Sequence, residues 1–319
     1  MKKETMRIGI DVGGTKIAAG LVSKSGHVTF RKKIKTAADK GYPAVKDQIT
    51  SLVSALLSEA SLDPKDIEGL GIACAGQIDQ RTKKVIFSPN LKWTDAPLKE
   101  DVEATTGIRT LIENDVNAAA YGEWRFGFHK EGSDIVALYL GTGVGGGLIL
   151  KGRLYRGSRG VGGEIGHITL NPHGYQCQCG NKGCFEAYCG GSYIEKRLRQ
   201  YLAEGYRGKL WEIVEGRIEN ATVTRLEEGN LLGDALCNRL WTEVVEYLGS
   251  ALQSIANLLN PELIIVGGGV VTGTKRLIDE ARLVMERRAM PASIAGLKIE
   301  RARMGNDAPL LGAAHLLDE

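Results

Sequence analysis

Three cysteines fall within eight residues, Cys177, Cys179 and Cys184, in the run Gln-Cys-Gln-Cys-Gly-Asn-Lys-Gly-Cys-Phe-Glu186. Gly180 and Gly183 let that chain fold back around a centre. Three thiolates need a fourth ligand to close a tetrahedral metal site, and zinc is the ion that such a set favours. His167, ten residues upstream of Cys177, is the first choice, with His173 and Cys189 as alternatives. Four protein ligands leave no open position for a catalytic water, so the metal would shape a loop. That loop carries Glu164, His167 and Glu186, a polar surface suited to binding.

Two glycine turns offer a second kind of chemistry. Asp11-Val-Gly-Gly-Thr-Lys16 follows an apolar strand, and Gly141-Thr-Gly-Val-Gly-Gly-Gly147 follows another. Successive backbone N–H groups in such turns form a concave anion site that suits phosphate. Thr15 adds a hydroxyl and Lys16 a cation. Asp11 would repel a phosphate on its own, so a Mg²⁺ between them is the natural reading. A dinucleotide-binding G-x-G-x-x-G turn must open a helix, but Ile17-Ala-Ala-Gly-Leu-Val22 continues as strand. The phosphate-loop pattern G-x-x-x-x-G-K-[ST] is absent. A tight turn is the plain reading of either one alone, while the pair favours phosphate.

Glu113-Asn114-Asp115 stands where a strand gives way to a helix. Asn and Asp are ordinary N-caps there. In a cleft, Asp115 could also take a proton from an attacking hydroxyl, with Asn114 meeting sugar hydroxyls.

The elements that must position these groups follow from periodicity. Arg7–Asp11, Ile17–Ser23 and Val28–Ile34 read as three strands in an antiparallel meander. Ala44–Ala60 is an amphipathic helix, Gly69–Ala75 a buried strand, and Leu111–Asn114 a strand leading to a helix over Ala118–Arg125. The order then repeats: Ile135–Leu140, the turn Gly141–Gly147, a strand from Leu148, a helix over Asn230–Leu259 and a strand over Leu263–Val266. A strand at Leu297–Met304 and a helix at Ala308–Leu317 close the chain. The two halves lie about 130 residues apart without visible identity, so a structural duplication is expected. It predicts two closely packed α/β domains with a cleft between them.

The composition fits a two-domain globular protein of 319 residues, with 43% hydrophobic and 25% charged residues. Glycine is the outlier, at 42. No run of about 18 apolar residues predicts a membrane span, and no apolar signal core follows the N-terminus. A formal charge of +3, dispersed among acids, gives no reason to invoke nucleic acid. A cytoplasmic protein is expected, which disfavours disulfides. Cys74 and Cys237 lie in apolar surroundings and read as core.

Together these motifs resemble the ROK family of bacterial sugar kinases, within the actin/hexokinase/heat-shock-protein ATPase superfamily. The resemblance covers nearly the whole chain: Asp11–Lys16, Gly71–Asp79, Ser88-Pro-Asn90, Glu113–Asp115, Gly141–Gly147, Glu164-Ile-Gly-His167, Cys177–Glu186 and Gly267–Gly269. It implies two ribonuclease-H-like, actin-like domains, a small one of residues 1–118 plus 306–319 and a large one of 119–305 that carries the zinc loop and the nucleotide. It implies ATP with Mg²⁺, a structural Zn²⁺, a hexose substrate phosphorylated at its 6-hydroxyl, glucose first among them, and a homodimer or homotetramer.

The resemblance makes Asp115 the catalytic base. It makes Asn90, Asn114, Asp115, Glu164, His167 and Glu186 sugar contacts, and His167, Cys177, Cys179 and Cys184 the zinc ligands. His167 would bind zinc through one ring nitrogen and face the sugar with the other. ATP would meet Gly9, Ile10, Asp11, Val12, Gly13, Gly14, Thr15 and Lys16 in the first half. In the second half it would meet Gly141, Thr142, Gly143, Val144, Gly145, Gly146, Gly147 and Leu148, with Gly267, Gly268 and Gly269 beside the adenosine. Polyphosphate is an alternative donor, and N-acetylmannosamine, mannose, fructose and allose are alternative acceptors. The family also contains sugar-responsive repressors with a DNA-binding segment ahead of the first glycine turn. Ten residues precede Asp11 here, so the kinase is expected. One departure stands out: Ala75 replaces the proline expected in G-x-x-x-P-G, and the loss of a fixed φ is expected to loosen or reshape that sugar loop, which bears on the identity of the sugar and not on the kinase assignment.

Overall fold

The computed structural model describes residues 5–319. Its contacts divide it into two compact units, one of residues up to 133 with 147–163 and 303–319, the other of 134–146 with 164–302.

The first unit is built on a five-stranded sheet. Strands β1 (Met6–Val12), β2 (Lys16–Ser23) and β3 (Val28–Lys35) form the expected antiparallel meander. Helix α1 (Tyr42–Ala60) returns the chain to β4 (Ile67–Cys74), which lies parallel to β1. Three short strands, β5 (Gln77–Ile78), β6 (Val85–Ser88) and β7 (Trp93–Ala96), make a small separate sheet that no periodicity predicts at such lengths. Helix α2 (Leu98–Thr106) leads to β8 (Thr110–Asn114), parallel to β4. The sheet order is β3-β2-β1-β4-β8. Its central strands are apolar because both faces are covered. Ile8, Ile10, Leu70 and Ile72 are fully buried, and Ile49, Leu52 and Leu56 of α1 pack into the same core. Helix α3 starts at Asp115 and ends at Gly122, three residues ahead of the expected start at Ala118, because Asn114 caps it.

Strands β9 (Ile135–Leu140), β10 (Val144–Leu150) and β11 (Arg153–Tyr155) follow. The turn expected over Gly141–Gly147 is shorter, since β10 begins at Val144 rather than Leu148. The second unit adds helices α4 (Phe185–Cys189), α5 (Gly191–Ala203), α6 (Lys209–Ile213), α7 (Val223–Leu231) and α8 (Ala235–Leu259). The single helix expected over Asn230–Leu259 is thus two. Gly233 takes a φ of +78°, and Asp234 caps the new start by accepting the Cys237 N–H at 2.9 Å. The apolar stripe of α8 is buried through Leu240, Val244, Leu248, Leu252 and Ile255.

Strand β12 (Leu263–Gly267) runs parallel to β9, and α9 (Gly269–Thr272), α10 (Leu277–Arg288) and α11 (Pro291–Ile294) lead to β13 (Lys298–Arg301), parallel to β12. The strand expected over Leu297–Met304 stops early, as the Glu123 carboxylate takes the Arg303 and Met304 N–H groups at 2.9 and 2.8 Å. The second sheet has the order β11-β10-β9-β12-β13, the order of the first sheet repeated. The duplication expected from the sequence is therefore present in the topology. The last helix, α12 (Ala308–Ala314), packs in the first unit against α3, β1 and β4. A β-carbon on its Gly312 would lie 1.7 Å from the Ala118 carbonyl oxygen, so only glycine allows that approach. Residues 119–133 and 147–163 group with this first compact unit. Among the described residues, no helix is long and apolar enough to cross a membrane.

Candidate active site and metal centre

Parallel strands β1, β4 and β8 end side by side in the first unit, with Asp11 opposite Ala73, and Cys74 opposite both Val12 and Asn114. The carboxyl ends of parallel strands are where such sheets bind ligands. Asp11, Ala75, Asn114 and Asp115 come together there for that topological reason. The first glycine turn closes with the Gly13 N–H on the Lys16 carbonyl at 3.0 Å. Thr36, which no motif singles out, braces it from just past the end of β3. Its hydroxyl donates to the Gly13 carbonyl at 2.7 Å and its N–H to the Thr15 carbonyl at 3.0 Å. Asn90 lies against this turn, since a β-carbon on Gly14 would be 2.7 Å from the Asn90 carbonyl oxygen. Burial, then the nearby charge of Asp115, pushes the Asp11 carboxyl up to about 7, and only Lys16 opposes. A cation at this carboxylate would offset both causes, which fits Mg²⁺.

Asp115 is the first residue of α3, and Asn114 is its cap. The Asn114 Oδ1 accepts the Val116 and Asn117 N–H groups at 2.9 and 3.0 Å. Its Nδ2 donates to the Gly76 carbonyl and to Asp115 Oδ1, both at 3.0 Å. Four hydrogen bonds fill an Asn side chain. The side chain is thus fully engaged here, and one of its bonds holds the Asp115 carboxylate. The Ala75 loop is not loosened. The Ala75 N–H donates to the Val12 carbonyl at 3.0 Å, a bond that proline cannot make, and the Ala75 carbonyl accepts the Ser88 hydroxyl at 2.5 Å.

In the second unit, His167, Cys177, Cys179 and Cys184 bring one ligand atom each within 4.8 Å of one another. Cys179 and Cys184 sulfurs are 3.6 Å apart, and Cys177 Sγ is 3.8 Å from His167 Nδ1. A tetrahedron with Zn–S bonds of about 2.3 Å has edges of roughly 3.8 Å. The residues thus fit a closed zinc site, with Nδ1 as the ligand nitrogen of His167. Of the alternatives, His173 is exposed and Cys189 is buried with its thiol on the Val244 carbonyl. Glu186 reaches from this centre to the second glycine turn. Its Oε2 accepts the Val144 N–H at 2.9 Å, and a β-carbon on Gly143 would lie 2.2 Å from that oxygen. Glu164 is exposed, just ahead of the short 3₁₀ turn Ile165–His167.

A cavity of about 300 Å³ in the same unit is lined by Gly141, Thr142, Gly269 and Val270, together with Ser192, Glu195, Thr222 and Thr224. Sequence reasoning missed the last four, because isolated polar residues on helices α5 and α7 carry no motif. Ser192 is tied to the turn by its hydroxyl and N–H, both on the Thr142 carbonyl, at 2.8 and 3.0 Å. Gly268, with φ of +93°, turns the chain into this cavity. Other glycines of the expected nucleotide set serve packing. A β-carbon on Gly9 would be 2.3 Å from the Leu310 carbonyl oxygen, and one on Gly147 would be 2.5 Å from Ala120 Cβ. Ile10, Val12, Leu148 and Gly267 are buried within strands, and Gly145 and Gly146 lie in β10, whose first N–H, that of Val144, is already engaged.

The model of the ROK family matches residues 7–319. The chain is 34% identical to a glucokinase of Streptomyces coelicolor, over 98% of both chains. It is 31% identical to a xylose repressor of Caldicellulosiruptor bescii, over 96% of this chain and 76% of the repressor. It superposes with a TM-score of 0.79, at 33% identity and over 98% of both chains, on a ROK family glucokinase from Streptomyces griseus in complex with glucose and AMPPNP.

Proposed function

The chain belongs to the ROK family, and from that premise we propose that it transfers the terminal phosphoryl group of ATP to the 6-hydroxyl of a hexose, glucose above the others. One observation carries the reading. Asp115 opens α3 at the strand ends, its carboxylate oriented by Asn114, in the same sheet edge as Asp11 and the Gly13-Gly14 turn. A base beside a phosphate turn is what transfer to an alcohol needs. The glucokinase relatives, matched over nearly their whole length, support glucose as acceptor and ATP as donor.

In this reading Asp115 takes the proton of the 6-hydroxyl as transfer proceeds. Asn90, Glu164, His167 Nε2 and Glu186 bind the remaining hydroxyls, since a polyol needs both donors and acceptors. Asp11 would hold Mg²⁺, which would supply positive charge against that of the phosphates. Thr142, Ser192, Glu195 and Gly269 bind the adenosine in their cavity. Zinc held by His167, Cys177, Cys179 and Cys184 supplies structure, and it fixes the ring of His167 through Nδ1.

A panel of glucose, mannose, fructose, allose and N-acetylmannosamine with ATP and Mg²⁺, read as ADP release, tests the proposal. Turnover with glucose in excess of the others is expected. The repressor relative at 31% identity supports a second reading, a sugar sensor. That reading requires saturable glucose binding with no ADP release from any sugar of the panel.

A further inference from the structure

A cavity of about 430 Å³ lies within the first unit, where no role described above uses it. Its polar lining is Gln80, Lys83, Glu113, Arg153, Arg156 and Glu319. The carboxylates are both engaged by one guanidinium. Arg156 Nε donates to Glu113 Oε2 at 2.5 Å, and its NH1 donates to Glu319 Oε1 at 3.0 Å. Three donor groups make no hydrogen bond or ion pair with a carboxylate among the described residues. The Lys83 ammonium bonds only the neutral Gln80 Oε1. The Gln80 Nε2 is buried and has no acceptor. The Arg153 guanidinium has no hydrogen bond and no ion pair among the described residues. Of the three, Gln80 Nε2 is the buried one, and a buried donor without an acceptor is costly. Lys83 is half-buried and Arg153 exposed, and an oxyanion in the cavity is the one partner that would take a hydrogen bond from all three. Burial first, and then the charge of Arg156, hold the Lys83 ammonium below its ordinary range, against the opposing pull of Glu113 and Glu319. The volume falls in the range of small-ligand sites.

The same cavity touches the candidate base through one side chain. Glu113 is 1% exposed and precedes Asn114. Its Oε1 accepts the Asn114 N–H at 3.0 Å and Asn117 Nδ2 at 3.1 Å, while its Oε2 accepts Arg156. An anion that competes with Glu113 for Arg156 acts on the start of α3.

We propose that this cavity binds a small phosphate-bearing anion, free phosphate or a phosphorylated sugar, through Lys83, Arg153 and Gln80, and that occupancy is passed by Arg156 and Glu113 to the helix that carries Asp115. The binding half stands by itself, whereas the kinetic half rests on the kinase reading.

Calorimetric titration of the full chain with inorganic phosphate at constant ionic strength tests the binding half. The comparison is wild type against Lys83→Gln and Arg153→Gln, with folding checked by circular dichroism. A saturable site is expected in wild type, weakened about tenfold in each variant, the size of one lost charge-assisted hydrogen bond. Phosphate held elsewhere, at the glycine turns for example, binds all three proteins alike, and equal affinity in the three overturns the proposal, as does the absence of a saturable site. The two substitutions are independent, so one that fails to fold leaves the other to decide. Glucose 6-phosphate as the second probe separates the sources, since tighter binding than phosphate, lost in the same variants, assigns the site to the sugar ester. For the kinetic half, phosphate is expected to change the KM for hexose in wild type and not in Lys83→Gln. An unchanged KM in wild type with saturable binding overturns that half. Absence of turnover in every protein without phosphate sinks the kinase reading and leaves the calorimetric result standing.

Discussion

Asn114 Nδ2 donates to Asp115 Oδ1 at 3.0 Å while Asn114 Oδ1 caps the helix that Asp115 begins. The carboxylate is thereby held by a side chain that is itself fixed at three other points. Asp115→Asn keeps the shape and removes the base, so kcat is expected to fall about 10²- to 10⁴-fold, with glucose affinity by calorimetry little changed. Asn114→Ala is expected to cost about 1 kcal/mol of stability as a lost cap, and to lower kcat more than it raises KM. A variant at position 114 that melts earlier with an unaltered kcat would refute the orienting role.

A second prediction concerns acid stability. Arg7 is 1% exposed and binds two carboxylates, Glu68 at 3.1 Å and Asp318 at 2.6 Å. Arg7 holds both of them below the usual carboxylate range. A depressed acid contributes stability that is present above its unfolded pKa and is lost as pH falls through the folded one. Nearby, burial lowers the pKa of His315, so the unfolded chain takes up that proton first and acid again favours unfolding. Arg7→Met is therefore expected to cost about 1–3 kcal/mol at pH 7. Its deficit against wild type should shrink as pH drops below about 4, where the carboxylates protonate. Urea midpoints measured from pH 7 to pH 3 test this, and a deficit independent of pH would contradict it.

How far the sequence reached depended on the range of the interaction. Short apolar strands, the Gly13-Gly14 turn and the Cys177–Cys184 spacing are local, and each lies where periodicity or ligand spacing puts it. The break at Gly233-Asp234 was legible too, as a glycine followed by a capping residue, but the apolar period running across it masked the signal. Thr36 under the first turn, and Glu186 on Val144 across 42 residues of chain, depend on tertiary placement and leave no local pattern. The glycines divide in the same way. Composition announces that backbone must approach something closely, and only the fold shows that at Gly9 and Gly147 that something is a helix. Ala75 does not loosen its loop, for a local reason: the residue that lacks proline's ring has an N–H, and β1 has a carbonyl to receive it.

The metal centre leads to a third prediction. Cys179 is the exposed ligand of the four, so it is the point at which a chelator gains entry. Cys179→Ser is expected to release zinc, seen by elemental analysis, and to raise the KM for sugar before it alters the Kd for nucleotide. The order follows from the chain, since His167 and Glu186 both belong to the loop that the metal closes. Stoichiometric zinc in that variant, or nucleotide binding lost ahead of sugar binding, would contradict the structural role.

The last prediction joins the metal loop to the second glycine turn. Glu186 Oε2 accepts the Val144 N–H at 2.9 Å, and that oxygen fills the space where a side chain at position 143 would begin, 2.2 Å from its β-carbon. Gly143→Ala must therefore displace the carboxylate and break the Val144 bond. The carboxylate is the far end of a flexible side chain and can swing away, so the cost is chiefly the lost hydrogen bond, about 0.5–1.5 kcal/mol. Glu186→Ala also loses the bond but vacates the space. The two changes lose the same bond, so the double variant Gly143→Ala with Glu186→Ala should be destabilised less than the single effects added together, by about 0.5–1.5 kcal/mol. A denaturation cycle over the four proteins gives this number directly. Additive effects would mean that Gly143 tolerates a side chain by some other route, and that Glu186 does not brace the turn.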